Sequence, residues 1–308
     1  MNKILLSVVC LVMVGIQSAK AQVAIAALHH EGNVSIFPAG GVQSAIKASV
    51  AGDTIYLSEG IFGGFTVDKP IKIIGAGQTT RISSDIYLGT SSSTIEEGLL
   101  LSGLNCIQDI EFDYNITGAR ISQCKIGGTV SFSNSSSYIC DNIEIFMSQM
   151  KVFRPHDSVK GLAVVASKIN EVWYGGKNDG AVTIMNCNIN NAYQSSSNNT
   201  FVNCIINSLG GGVYQNCLYK ENNKANSAVL YECYQSDGFT LDDDLNCSLT
   251  DEQLQAAGYV GMDNTWVGIG GGEVKFSLVM PEVQVVEHTI GVNQQERKLN
   301  VTLKFGNK

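Results

Sequence analysis

The chain has 308 residues and a net charge of −8, with 16% charged and 44% hydrophobic residues. This composition excludes a disordered chain, because the apolar residues suffice for a large core. The four arginines, Arg81, Arg120, Arg154 and Arg297, form no basic stripe, which excludes binding to nucleic acid and disfavours binding to an anionic membrane surface.

The N-terminus has the three parts of a secretory signal peptide. Lys3 supplies positive charge, and residues 4–16 are an almost unbroken apolar run. Ala19 and Ala21 then place small residues at the two positions that a signal peptidase reads. The run is shorter than the ~20 residues that span a bilayer. Residues 1–21 are therefore predicted to be a signal peptide, cleaved before Gln22. The protein is expected to be exported to the periplasm, the cell surface or the extracellular space, with no membrane span.

The next part of the chain changes from a helical pattern to short strands. Residues 22–50 are predicted to be a lead-in segment that ends in a capping helix, because Val42, Ala45 and Ile46 have the spacing of one helix face. Residues 51–77 then alternate apolar and polar residues in short runs separated by glycine or aspartate. Such runs indicate strands of three or four residues joined by tight turns.

Two stretches resemble a known family of folds. Residues 42–77, with AGDTIYLSEGIF followed by KPIKIIGAG, resemble the opening of pectate-lyase-like, right-handed parallel β-helix proteins. Residues 241–272 are similar to the closing segment of exported bacterial β-helices, although Val267-Gly268-Ile269-Gly270-Gly271 lacks their tyrosine. The resemblance implies an all-β, single-stranded β-helix over residues 51–272, closed by a last coil and cap. It indicates a fold rather than a function, because this superfamily contains lyases, hydrolases and adhesins.

The cysteines form a repeat rather than a disulfide framework. Eight remain beyond residue 21, and five of them follow an asparagine, at Asn105, Asn186, Asn203, Asn216 and Asn246. Apolar residues recur three positions before the cysteine and two after it. On a straight strand these positions point to opposite faces, so both reach the core only if the chain bends between them, and asparagine tolerates such a bend. We predict stacked asparagine corners beside an interior ladder of unpaired thiols. The sequence contains no Cys-x-x-Cys pair, so the cysteines give no indication of a zinc site.

Acidic residues supply the first candidate site. Asp109, Glu111 and Asp113 alternate with apolar residues, so they are expected on the outer face of one strand. Residues two apart on a strand lie roughly 7 Å apart, within the range of an inverting glycosidase pair. Glu144 occupies the same place in a second strand of this pattern. The alternative is a solvated acidic stripe without chemistry.

Basic and aromatic residues supply two further candidates. Arg154 stands beside His156 and Asp157, a combination of cation and base that a polyuronate lyase needs. Pro155 marks a loop there, so the alternative is a structural turn. Trp173 and Tyr174 precede two glycines and are candidates for stacking on sugar rings, although Trp173 suits a core position equally well.

A run of three acids, Asp242, Asp243 and Asp244, is the candidate for calcium. Consecutive acids on a strand point in different directions, so these residues are interpreted as a solubilising turn. The two adjacent histidines, His29 and His30, stand apart from other potential ligands. We therefore predict no cofactor and no metal site.

The C-terminal residues 273–308 differ from the body. After Pro281, two alternating runs flank a polar stretch, which predicts a β-hairpin tail. The tail is a candidate for contact with a protein partner.

Three functions remain open on the sequence. The first is an exported, non-catalytic protein that binds glycan or the cell surface. The second is a polysaccharide lyase or glycoside hydrolase, with Glu111, Asp113, Glu144 or Arg154 as candidate catalytic residues. The third is a structural or adhesive protein that acts through its tail. The motifs of polygalacturonase-like hydrolases and the Arg-x-Pro-x-x-Arg of the lyases are not found, which favours the first.

Overall fold

The computed structural model describes residues 24–133, 137–156, 159–173, 182–194, 198–220, 227–280, 283–293 and 298–307, the last two ranges by their backbone alone. The predicted signal peptide and its cleavage site between Ala21 and Gln22 lie outside these residues. Neither helix of the described part has the length and apolar character needed to span a bilayer.

The chain begins with a hairpin and the predicted capping helix. Strands β1 (Ile25–His30) and β2 (Asn33–Pro38) pair antiparallel, and β1 also pairs antiparallel with β3 (Thr54–Leu57). Helix α1 (Val42–Ala48) follows the hairpin. The helix buries the apolar face that the sequence predicts, formed by Val42, Ala45 and Ile46. These side chains join the core of the stack that follows.

The body is a parallel β-solenoid, as predicted, in which each turn of chain contributes one strand to sheet 1 and one or two strands to sheet 2. Sheet 1 begins with β2, β1 and β3 and continues by parallel pairing. Its further strands are, in order, β6 (Lys72–Ile74), β10 (Leu100–Ser102), β14 (Arg120–Ser122), β17 (Glu144–Phe146), β20 (Leu162–Val165), β22 (Val182–Met185), β24 (Asn199–Val202), β26 (Gly212–Gln215) and β28 (Ala228–Tyr231).

Sheet 2 runs along the opposite side of the core and is also parallel. Its strands are β4 (Gly60–Phe62), β5 (Phe65–Val67), β7 (Thr80–Ile82), β8 (Ile86–Leu88), β11 (Asn105–Cys106), β12 (Ile110–Phe112), β15 (Lys125–Phe132), β18 (Gln149–Arg154), β21 (Lys168–Trp173), β23 (Asn188–Gln194), β25 (Ile205–Ser208), β27 (Leu218–Tyr219) and β29 (Tyr234–Gln235). A third sheet is shorter and consists of β9 (Thr94–Ile95), β13 (Asn115–Thr117), β16 (Cys140–Asp141) and β19 (Val159–Lys160).

Sharp corners join each strand of sheet 1 to sheet 2, and they follow the predicted asparagine turns only in part. Asn186, Asn203 and Asn216 have φ between 49° and 54°, in the left-handed region that asparagine tolerates well. The earlier corners use other residues in the same conformation, namely Gly103, Gln123, Met147 and Ala166. At these corners the N–H donates to a carbonyl of the next turn. Stacking therefore imposes the corner on residues that do not favour it.

Beside these corners lies an interior ladder of small polar side chains, here called the corner ladder. Its members are Cys124, Ser148, Ser167, Cys187, Cys204, Cys217 and Cys233. Each thiol or hydroxyl donates to the carbonyl two residues earlier. The eight cysteines of the described residues are all free. The predicted ladder of thiols is therefore confirmed in part: five of the eight cysteines belong to it, serine occupies two of its rungs, and Cys106, Cys140 and Cys247 lie outside it.

Residues 239–280, here called the return segment, run back along the outside of the solenoid. They include helix α2 (Asp251–Ala256), whose N-terminus is closed by a capping box between Thr250 and Gln253. The return segment buries Phe239 and other apolar side chains against the outer face of sheet 2, chiefly Ile205 and Leu218. The predicted last coil over residues 241–272 thus differs from the structure: these residues do not add a turn to the stack.

Side chains of the solenoid hold the return segment in place. Asn188 donates to the Leu245 carbonyl at 2.9 Å and accepts from the Ile269 N–H at 3.3 Å. Lys168 donates to Asn246 at 2.6 Å. Further along, Gln123 donates to the carbonyls of Ser277 and Val279, and Met280 packs on Gly103. Met280 therefore lies against the third turn of the solenoid.

The predicted tail hairpin is present. Strands β30 (Val283–Asn293) and β31 (Lys298–Asn307) pair antiparallel over almost their whole length. A register shift between Val285 and Glu287 introduces a bulge.

Candidate functional site

Six outward-facing side chains form one row along sheet 2. This outer row consists of Thr66, Tyr87, Glu111, Ser131, Arg154 and Trp173. From Thr66 to Arg154, each member of the row is paired in register with the next one. Trp173 lies beside Arg154 because the preceding residues of their strands, Phe153 and Val172, are paired. Each member follows a buried residue on its strand, so alternation turns the row toward solvent. Three sequence-predicted candidates, Glu111, Arg154 and Trp173, therefore share one surface.

At one end of the row, Trp173 and Arg154 are in direct contact. The guanidinium carbon of Arg154 lies 4.2 Å from the centroid of the Trp173 ring, which is a cation–π interaction. Trp173 nevertheless keeps 42% of its surface exposed, so it is not the core residue that the alternative interpretation supposed. Tyr174, predicted to bind beside it, lies outside the described residues.

Toward the other end of the row, Tyr87 stands among carboxylates. Its ring is 38% exposed, and its hydroxyl donates to Asp85 at 3.4 Å. Glu111 lies one rung away in register. Burial raises the pKa of Glu111, and the charges of Asp113, Asp109 and Asp85 raise it further. The negative charge of Glu111, followed by that of Asp85, raises the pKa of Tyr87. This end of the row therefore carries concentrated negative charge beside an exposed aromatic ring.

The predicted acidic trio divides into two roles. Asp109 accepts a hydrogen bond from the Thr129 N–H at 2.6 Å, and its own N–H donates to Asp85 at 3.1 Å. Asp109 is therefore engaged in joining neighbouring turns. Burial raises the pKa of Asp113. Asp113 and Glu111 remain the pair with the spacing that the sequence suggested for an acid and a base, roughly 7 Å along the strand.

Glu144 is not brought to Glu111. Its strand β17 belongs to sheet 1, whereas β12 with Glu111 belongs to sheet 2. Glu144 forms an ion pair with Arg120, at 3.1 Å between Oε2 and Nε, and Arg120 also stacks on Phe146 at 4.5 Å. Both acidic strands alternate in the same way, so alternation alone gave no sign of the different sheets.

The Arg154-Pro155-His156 loop places only its arginine on the outer row. Arg154 Nε and His156 Nδ1 are buried and have no hydrogen-bond partner among the described residues, and Asp157 lies outside them. Arg154 is two rungs from Glu111, roughly 10 Å, so the two side chains do not contact each other. The predicted convergence of a cation with a base in this loop is not found within the described part of the chain.

The candidate calcium ligands separate from one another. Asp242 accepts hydrogen bonds from the N–H and the side-chain amide of Asn246, at 2.8 and 3.0 Å, and closes a turn. Asp244 lies 3.8 Å from the ammonium of Lys125. Across the described ranges, no three potential metal-ligating side chains come together. The run of acids positions the return segment against a basic part of sheet 2.

Two parts of this surface were missed by sequence reasoning. The first is Tyr87, which was not among the candidate residues, although the alternation in Ile86-Tyr87-Leu88 is a strand signal. The second part is a chain of amides, in which Asn190 donates to Asn170 at 3.0 Å and Asn207 donates to Asn190 at 3.1 Å. No local signal in the sequence placed these three asparagines on successive rungs.

The return segment forms one wall beside this surface. A cavity of about 240 Å³ lies between it and sheet 2, bordered by Lys151 and Asn170 on the sheet and by Asp243 and Leu245 on the segment. A second cavity of about 320 Å³ lies further along, under α2. The return segment thus forms a wall on one side of the outer face of sheet 2.

Comparison of the chain with protein-family models, with curated protein sequences and with solved structures finds no match.

Proposed function

We propose that the protein is an exported β-solenoid that binds a glycan along the outer row without turning it over. One observation carries the proposal. Two exposed aromatic rings, Tyr87 and Trp173, flank a stretch of the outer row that holds Glu111, Ser131 and Arg154. Aromatic faces pack on the apolar faces of sugar rings, and the polar groups between them suit hydroxyl groups.

The scaffold supports this proposal. Stacked turns give a rigid, linear surface along which an extended ligand can lie. The likeness of residues 42–77 to pectate-lyase-like β-helices also favours a carbohydrate ligand, although a shared fold does not determine function. Because the strands hold their register through the backbone, the row keeps its spacing without side-chain rearrangement.

Export is supported by the N-terminal signal pattern and fits the state of the cysteines. Burial raises the pKa of Cys124 to about 12, and it raises the pKa of Cys204 and Cys217 as well. These thiols therefore stay protonated, and a protonated thiol is a poor nucleophile for disulfide exchange. Fractionation of the native host into cytoplasm, periplasm, surface and medium tests the location directly.

Catalysis is the second candidate, and the Glu111–Asp113 pair favours it. A carboxyl with a raised pKa can serve as a general acid, and a second carboxyl at this spacing can activate water. Against this, the row's cation, Arg154, stacks on Trp173 rather than facing the pair. A lyase or hydrolase would release unsaturated or reducing ends.

A glycan screen of the purified protein separates the candidates. Acidic and neutral polysaccharides are presented with and without calcium, and binding and product release are both recorded. Glycan binding that is not accompanied by product release, and that is lost in Trp173→Ala, supports the proposal. Release that disappears in Glu111→Gln contradicts the non-catalytic assignment. Failure to bind any glycan overturns the proposal and leaves the tail hairpin, with its structural or adhesive role, as the next candidate.

A further inference from the structure

The outer row has a defined length. Tyr87 and Trp173 are separated by four rungs, and rungs are about 4.8 Å apart, so the two rings are roughly 19 Å apart along the solenoid axis. A disaccharide is too short to contact both rings, whereas a hexasaccharide covers the span. A ligand that uses both ends must therefore lie parallel to the axis, across the strands.

The charges along the row restrict the ligand further. Glu111 lies between Tyr87 and Ser131 in register, with Asp85 and Asp113 close enough to influence it. Arg154, the basic member of the row, is already stacked on Trp173. A polyuronate that spans the row carries a carboxylate on every unit, so several of them fall beside these acids. Like charges in such positions oppose binding.

Resting on the proposed glycan-binding function, we infer that the ligand is a neutral, linear oligosaccharide segment that spans the row from Tyr87 to Trp173. The aromatic rings bind its two ends, and Glu111 and Ser131 accept or donate hydrogen bonds to hydroxyl groups between them. The acids exclude anionic chains of the same length.

The test compares ligand length and charge in one series. Cello- and xylo-oligosaccharides from disaccharide to hexasaccharide are titrated against the full protein by calorimetry, and oligogalacturonides of equal length serve as the charged series. Affinity for the neutral series is expected to rise until the span is covered and then to level off. The charged hexamer is expected to bind about tenfold or more weakly, the effect of adjacent like charges.

Three variants assign the effect to the row. Tyr87→Ala should abolish the gain with length and leave short chains unchanged, whereas Trp173→Ala should weaken both. Tyr56→Ala is the matched control, because Tyr56 is 44% exposed but lies on sheet 1. A double change, Asp85→Asn with Glu111→Gln, should raise binding of the charged series toward that of the neutral one.

Each outcome has a separate meaning. Affinity that levels off at the disaccharide, or a length gain that survives Tyr87→Ala, overturns the spanning ligand. Equal or tighter binding of the oligogalacturonides overturns the neutral class while glycan binding itself stands. Absence of binding to every oligosaccharide removes the proposed function together with this inference.

Discussion

The corner ladder and the outer row both run along the solenoid, one inside it and the other on its surface. In the corner ladder, serine can take the place of cysteine because both side chains donate a hydrogen bond to the carbonyl two residues earlier. In the outer row, adjacent members from Thr66 to Trp173 are chemically unlike: a hydroxyl, a phenol, a carboxylate, a second hydroxyl, a guanidinium and an indole. Repetition in this fold therefore reflects structure, and departure from repetition along one register position indicates a site.

The two regions also differ in what satisfies their polar groups. Apart from the half-buried Cys233, the ladder thiols are buried and bonded within the chain, whereas the row holds the exposed rings of Tyr87 and Trp173. Polar groups in a solvent-facing row have bonding capacity left for a ligand. The difference predicts that interior substitutions affect stability and that outer-row substitutions affect binding.

The largest expected effect is in the interior. Phe201 and Tyr214 are fully buried and stack with centroids 4.6 Å apart. Phe201→Ala is expected to lower the free energy of unfolding by about 3–5 kcal/mol through the cavity it leaves. Tyr87→Ala on the outer row is expected to change it by less than about 1 kcal/mol. Urea titration of both variants, followed by circular dichroism, checks this. Similar losses of unfolding free energy in the two variants would contradict the difference between interior and surface.

The covered part of sheet 2 is the intermediate case. Asn188→Ala removes two hydrogen bonds to the return segment, to Leu245 and Ile269. Since Asn188 is 1% exposed, the loss is expected to cost about 1–3 kcal/mol and to open residues 241–276 to limited proteolysis. Asn33→Ala, at an exposed asparagine, is the control. Cleavage at an unchanged rate would show that these bonds do not hold the segment.

A smaller effect is expected within the corner ladder. The sulfur of Cys217 accepts from the Cys204 N–H at 3.4 Å, and Ser148 and Ser167 fill equivalent positions. Cys217→Ser should therefore be more stable than Cys217→Ala by about 1 kcal/mol, because alanine leaves the N–H unpaired. The unfolding temperatures of the two variants test this order of stability. The reverse order, with alanine more stable, would mean that apolar packing rather than hydrogen bonding maintains the ladder.

The smallest effect concerns Glu111 and depends on pH. The folded protein raises its pKa above the ordinary 4.5, so the folded state binds the proton more tightly than the unfolded state. Ionisation therefore costs stability as pH rises from 4.5 through the raised value. Glu111→Gln should stabilise the protein above that window by less than about 0.5 kcal/mol, since solvent screens the group, and should have no effect below pH 4.5. Unfolding midpoints across pH test this, and destabilisation at neutral pH would contradict it.

Much of the fold could be predicted because its signals are local. Alternation in three-residue runs identified the strands, and the Asn-Cys repeat identified a corner and an interior ladder. The corners at Gln123, Met147 and Ala166 could not be predicted, because bonds to the next turn impose their conformation. The return segment was also missed, since its apolar residues suit a coil as well as an outer packing.

The site was only partly predictable for a related reason. Glu111, Arg154 and Trp173 were each identified from their chemistry, but their common row depends on register between strands distant in sequence. Glu144 was grouped with Glu111 because alternation does not show which sheet a strand joins. Tyr87 was overlooked because serines surround its strand.

The central claim is that ligand binds at the Trp173 end of the outer row, and tryptophan fluorescence tests it most directly. The chain has two tryptophans, so Trp266→Phe leaves Trp173 as the sole reporter, and Trp173→Phe leaves Trp266. Titration with the best-binding glycan should shift the emission of the first variant and leave that of the second unchanged. An unchanged Trp173 signal under conditions where calorimetry records binding would place the ligand elsewhere and contradict the account.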